Sequence, residues 1–149
     1  MNRFIDISNR EEMKNAFANL TANAKPVWGN MTPQQMVEHM IDQVEHTNGK
    51  KIPTLDVSPE EAAKSKQLWI YTDVEIPRNV VLAVLPGYIH PDLATAIHQL
   101  FIELDAFHEH FKQPGLTEIH GGFGHMDYNE WVIWHGKHFT HHLKQFGLI

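Results

Sequence analysis

The chain has 149 residues, 42% hydrophobic and 20% charged, with a formal net charge of -6 and no cysteine. That length and composition suit one soluble globular domain. They offer no disulfide or thiolate ligand, no basic cluster for nucleic acid, and no apolar run near the ~20 residues that span a bilayer. Any metal would have to be held by His, Asp or Glu. The opening residues lack the apolar run of a secretory signal, so a cytoplasmic location is the default expectation.

Ser8-Asn9-Arg10-Glu11 has the form of a capping box, and Met13, Phe17 and Leu20 follow at helical spacing. A first helix is expected over 9–24, ending before Pro26. Gly29-Asn30 then signals a turn in a short apolar connection. Thr32-Pro33-Gln34-Gln35 opens a second helix with a cap residue, a proline at the first helical position and a glutamine at the third. Met36, Val37, Met40, Ile41 and Val44 form its apolar face, with His39 inside or beside that arc. His46, at the helix end, reads as a surface residue.

The stretch 48–90 is an irregular insertion between two long helices. Ser58-Pro59-Glu60-Glu61 starts a short helix reaching about Trp69, and Val80 to Leu85 reads as a strand or a buried extended segment. An excursion of this length is either a packed cap or part of a site's wall. His90-Pro91 leads into the clearest helix, running to about Lys112. Its seam is Leu93, Ile97, Leu100, Leu104, Phe107 and Phe111, at alternating steps of four and three. His98, Glu103, His108, Glu109 and His110 fall mostly off that seam and read as solvated. His120-Gly-Gly-Phe-Gly-His125 is a glycine-rich connector without a phosphate-binding pattern.

The last helix, 128–146, carries the anomaly. Asp127 and Glu130 form a capping-box-like start and Gly147 a stop. At about 100° per residue, Trp131, His135, His138, His142 and Phe146 share one face, whereas Lys137, Thr140 and Lys144 take the opposite, solvated side. His141 lies at the edge and reads as a surface residue. Buried imidazoles need a partner for each ring nitrogen. His138 and His142, at i and i+4, can project onto one divalent ion, and His39 is the obvious third nitrogen. In a chain with 12 His such pairs also arise by chance, and the alternative is a polar seam satisfied by hydrogen bonds.

Four substantial helices and a short one point to an all-α, antiparallel bundle with the site in its core. Two stretches carry a resemblance that covers essentially the whole domain. One is Lys25-Pro-Val-Trp-Gly-Asn-Met-Thr-Pro-Gln-Gln-Met-Val-Glu-His39. The other runs from Gly122-Phe-Gly-His-Met-Asp-Tyr-Asn-Glu-Trp131 to His138-Phe-Thr-His-His142-Leu-Lys-Gln145. The His-x-x-x-His-x-x-Gln ending, preceded by a second-helix histidine, resembles the DinB/YfiT-like superfamily of metalloenzymes. The resemblance implies a four-helix bundle, often a homodimer, holding nickel or zinc through His39, His138 and His142. It also implies a small-molecule substrate. Some members transfer low-molecular-weight thiols to electrophiles, and others were proposed as hydrolases. His135 and Gln145 are then candidates for contacts to the ligands or the substrate. The competing expectation is a metal-stabilised binding module without catalysis.

Overall fold

A computed structural model describes residues 3–78 and 85–149 of the chain. Among these the fold is mostly helical: α1 (Arg10–Phe17), α2 (Pro33–Glu45), α3 (Pro59–Tyr71), α4 (Leu93–His110) and α5 (Tyr128–Gln145). One antiparallel ribbon, β1 (Glu118–His120) with β2 (Gly124–Met126), pairs Ile119 with His125 and occupies the place of the expected connector. Gly124, at φ +76°, makes the turn into β2 with a conformation that L side chains rarely adopt. None of the helices is long and apolar enough to cross a membrane, among the described residues.

Side-chain caps set the helix starts. Asn9, Thr32, Ser58, Asp92 and Asp127 each accept a backbone N–H of the first turn, and Thr32 and Asp127 complete capping boxes with Gln35 and Glu130. The first cap differs from expectation. Asn9 caps α1, while the Ser8 hydroxyl and N–H both turn to Asp6. α1 also stops at Phe17, well short of the expected 24. Asn19, Thr21 and Asn23 favour local turns over helix, and three-residue turns close at Leu20 and Ala24. The expected segment from Val80 to Leu85 lies outside the described residues, Leu85 excepted.

α2 packs most extensively on α4, and α5 touches α2, α3 and β2. Met36, Val37, Met40 and Val44 of α2 and Ala96, Leu100 and Phe107 of α4 are fully buried. Each large side chain among them contributes about 1.5–3 kcal/mol through removal from water.

α5 is buried on every side between Gly136 and Leu143, and this overturns the solvated face read from its sequence. The N-terminal segment crosses over it: the Ile5 N–H donates to Thr140 Oγ1 at 2.9 Å. The Ile5 carbonyl lies 2.6 Å from where a Cβ on Gly136 would stand. On the same side Lys137 is 2% exposed, its ammonium donating to the Thr72 and Val74 carbonyls at 2.6 and 3.0 Å. Lys144 alone of the three expected polar positions stays half-exposed, paired with Glu75. A helical wheel places residues relative to one another. It does not show what covers them.

α4 holds a second correction. Glu103, read as solvated, is 2% exposed and bound by Lys50, Asn48 and Gln99. His108 and His110 are half-buried, on the Tyr128 hydroxyl and the Glu118 carboxylate, whereas His98 and Glu109 are exposed as expected. The insertion after α2 acts both as cap and as wall. α3 packs on α5, residues 72–74 cover Lys137, and residues 86–90 line a cleft beside α2.

Candidate metal centre

Helical geometry brings three imidazoles to one point. His138 and His142 are one turn apart on α5, and α2 presents His39 across from them. His39 Nε2 lies 3.0 Å from His138 Nε2, and His142 Nε2 lies 3.1 Å from the same atom. The three ligand atoms fall within 4.8 Å of one another, a group that could hold a metal ion. Nitrogens on a tetrahedral zinc sit roughly 3.3 Å apart, as follows from Zn–N bonds of ~2.0–2.1 Å. The spacing found is close to that requirement.

The hydrogen-bond inventory tests the fit further. The Gln145 amide N–H donates to the Trp28 carbonyl at 3.1 Å, which turns Oε1 towards His142 Nδ1 at 2.8 Å. A carbonyl oxygen only accepts, so His142 Nδ1 carries its proton and, in the neutral ring, Nε2 is a bare lone pair. His138 Nε2 faces both this lone pair and His39 Nε2. One proton cannot point at both. Every neutral tautomer therefore leaves a contact short of a full hydrogen bond: lone pair against lone pair, proton against proton, or one proton shared between two acceptors. A cation among the three nitrogens satisfies all of them, so the residues fit a divalent ion.

Burial keeps these rings neutral. It is the largest cause holding His138 well below the usual histidine range, with the neighbouring His142 and His39 adding to it. His142 is pushed down to about 3 by burial, against the opposing bond to Gln145. His39 is lowered by burial, with Asp42 opposing. Neutral imidazole is the form that can ligate a metal.

The three proposed ligands come together and the two companion residues go separate ways. Gln145 touches His142 directly. His135, 1% exposed, lies against Thr47 instead: the Thr47 hydroxyl donates to the Val44 carbonyl and so accepts from His135 Nε2 at 3.1 Å. His141, expected at the surface, is 8% exposed and stacks edge-on against Trp28 and His142. The expectation failed because the Trp28 connection folds over the end of α5, where the Val27 N–H donates to the Gln145 carbonyl.

Glu38 was missed from sequence. Its carboxylate accepts the Ile89 and His90 N–H groups at 2.7 and 3.0 Å and the Gln34 amide at 3.0 Å. Burial raises its pKa, and the bonds from Gln34, His90 and Ile89 outweigh that and leave it lowered. The available signal was an acidic residue next to His39 on a largely apolar arc. Glu38 fastens one wall of a cleft of about 670 Å³ that His39 also lines, with Asp42, Glu45, Lys51, Ile89 and Glu103. The imidazole cluster thus has one half-buried member at a cavity large enough for a small molecule.

Comparison of the chain with protein-family models, with curated proteins and with solved structures returns no match.

Proposed function

We propose that the chain is a divalent-metal-dependent enzyme of the DinB/YfiT-like type. In this reading α1, α2, α4 and α5 form an antiparallel four-helix bundle, with 48–90 as its insertion. The observation that carries the reading is the convergence of His39, His138 and His142 beside the cleft. Zinc or nickel held there would lower the pKa of a bound thiol or water, or polarise a carbonyl. Three protein ligands leave room for such a group, as catalytic sites do and closed structural sites do not.

The chain's own residues have definable tasks. Gln145, held by Trp28, fixes the His142 tautomer with its lone pair inward. The surrounding core keeps the imidazoles uncharged. Glu38 holds the 89–90 backbone at the cleft and leaves the substrate an entrance beside His39. Each cleft carboxylate is already engaged: Glu38 by backbone N–H groups, Glu103 by Lys50, and Asp42 and Glu45 by Lys51. None is poised to take a proton from water. That weighs towards transfer of a low-molecular-weight thiol to a small electrophile over hydrolysis. The same observation also favours the second reading, a metal-stabilised binding module that does no chemistry.

Metal analysis of the purified chain, combined with a screen of thiol transfer to small electrophiles, separates the readings. The enzyme reading expects a bound divalent ion and conjugation that stops when the ion is removed. Metal without turnover across thiols and electrophiles supports the module. The resemblance also implies a homodimer, and light scattering that shows only monomer at micromolar protein would end that part.

A further inference from the structure

A second polar cavity, of about 100 Å³, lies on another side of α5, walled by Phe4, Trp28, Glu75, Arg78, Lys137 and His141 among others. Its charge is anomalous. The chain is acidic overall, at -6, yet three of its 12 Lys and Arg residues (Arg78, Lys137 and Lys144) line this one small space. Glu75, paired with Lys144, is the carboxylate among the lining residues, and Asp73 acts on Lys137 from beside it. The cations still outnumber the acids.

The floor and the rim are built differently. Lys137 is buried, fixed by two carbonyls and by the Phe4 ring 5.0 Å from its ammonium. Arg78 is exposed at the rim, its guanidinium 4.2 Å from the centre of the Trp28 ring, which aligns a planar fork of donors without a carboxylate partner in that contact. The Trp28 ring that carries this guanidinium also lines the cavity. The Thr140 hydroxyl accepts the Ile5 N–H and keeps its own proton to donate.

We propose that this cavity is a binding site for a small oxyanion, a carboxylate or phosphate group, held by Arg78, Lys137 and Lys144. Its volume is that of several waters and admits a few heavy atoms, not a nucleotide. Arg78 supplies the planar fork that suits either oxyanion, Lys137 the buried charge, and Lys144 a charge shared with Glu75. The site does not depend on the metal. Its most direct link to the imidazoles is His141, which lines the cavity and packs on His142, and Trp28 adds another, its ring on His141 and its carbonyl holding Gln145.

Titration of the full chain with inorganic phosphate and, separately, with acetate tests this, at constant ionic strength maintained by chloride. Calorimetry and the Trp28 indole N–H resonance, assigned with Trp28→Phe, provide the readouts. Saturable binding of at least one anion that shifts the Trp28 signal is expected. Arg78→Gln, at an exposed position, should weaken it about tenfold or more, the loss of one charge-assisted hydrogen bond. Glu75→Gln should tighten it by removing the competing carboxylate. Phosphate binding alone identifies a phosphate source, acetate alone a carboxylate source, and both an oxyanion pocket that does not distinguish them. Repeating the titration on His138→Ala separates this site from the imidazole centre, and binding should persist there. No saturation by either anion, wild-type affinity in Arg78→Gln, or loss of binding in His138→Ala would overturn the proposal.

Discussion

His135 and His138 lie one turn apart on the same buried helix, and what meets their Nε2 atoms differs. Both rings are sealed from water, and in both Nδ1 has no hydrogen-bond partner among the described residues. Both are held below the ordinary histidine pKa chiefly by burial. The difference is what meets Nε2. For His135 it is the Thr47 hydroxyl, which can take a proton. For His138 it is two more ring nitrogens, one of them fixed as a lone pair by Gln145. Facing a hydroxyl, the neutral His135 ring has a partner at Nε2. Facing two ring nitrogens, a single His138 proton can serve only one of them, and a cation could serve all three. Depth of burial does not make a ligand; the chemistry opposite the nitrogen does.

The largest effect expected from that contrast is on metal content. His138→Ala should abolish stoichiometric binding, whereas His135→Leu should leave it within error, both read by elemental analysis of folded protein. A second ligand substitution added to His138→Ala should cost little more, because the three residues act as one unit. Full occupancy in a folded His138→Ala variant would sink the three-histidine site.

Gln145→Ala probes the orienting bond. Freed from Oε1, His142 can place its proton on either nitrogen, and metal affinity should fall by about 10–100-fold, the usual cost of losing such support. A competition titration with a chelator measures it. Unchanged affinity would mean that packing alone orients the ring.

Gly136 lies between the two histidines, where the Ile5 carbonyl crosses α5. Alanine normally stabilises a helix interior over glycine by ~1 kcal/mol. Here its Cβ would meet that carbonyl at 2.6 Å. Gly136→Ala should therefore destabilise, by about 1–3 kcal/mol in urea unfolding, the cost of overpacking. A gain in stability would show that the N-terminal segment can move away freely.

The smallest effect is a change of slope with pH. Burial lowers His135 to about 3, and lowers His120 to about 4 with Asp56 opposing. The unfolded chain, at ~6.5, takes up these protons first. The contribution of each to stability is full above that value and is lost as pH falls towards 4 and then 3. Each group steepens the acid limb by up to about 1.4 kcal/mol per pH unit. Unfolding of metal-free His135→Leu between about pH 7 and pH 4.5 should show one group's worth less slope. A limb parallel to wild type would mean that His135 already titrates normally.

Much of the helical scaffold was legible in the sequence because its signals are local. Thr32-Pro33, Ser58-Pro59 and Asp127 with Glu130 announce helix starts within one turn of chain. The 3.6-residue period alone places His138 above His142. The ends of α1 and the ribbon around Gly124 were less legible, because weak local preferences there yield to contacts made elsewhere.

The sequence by itself therefore determined where α2, α3 and α5 begin, which residues share a helix face, and that thiolates were unavailable. Only the tertiary structure decided what covers each face. Lys137 and Thr140 read as wet until the segments at Ile5 and at Thr72 to Val74 fold over them. Glu103 read as solvated until Asn48 and Lys50 reach it. His135 and His138 look equivalent on the helix, and only partners 88 and 99 residues away separate them. Periodicity is set by the backbone within a few residues. Burial and hydrogen-bond partnership depend on chain segments whose separation in sequence carries no such period.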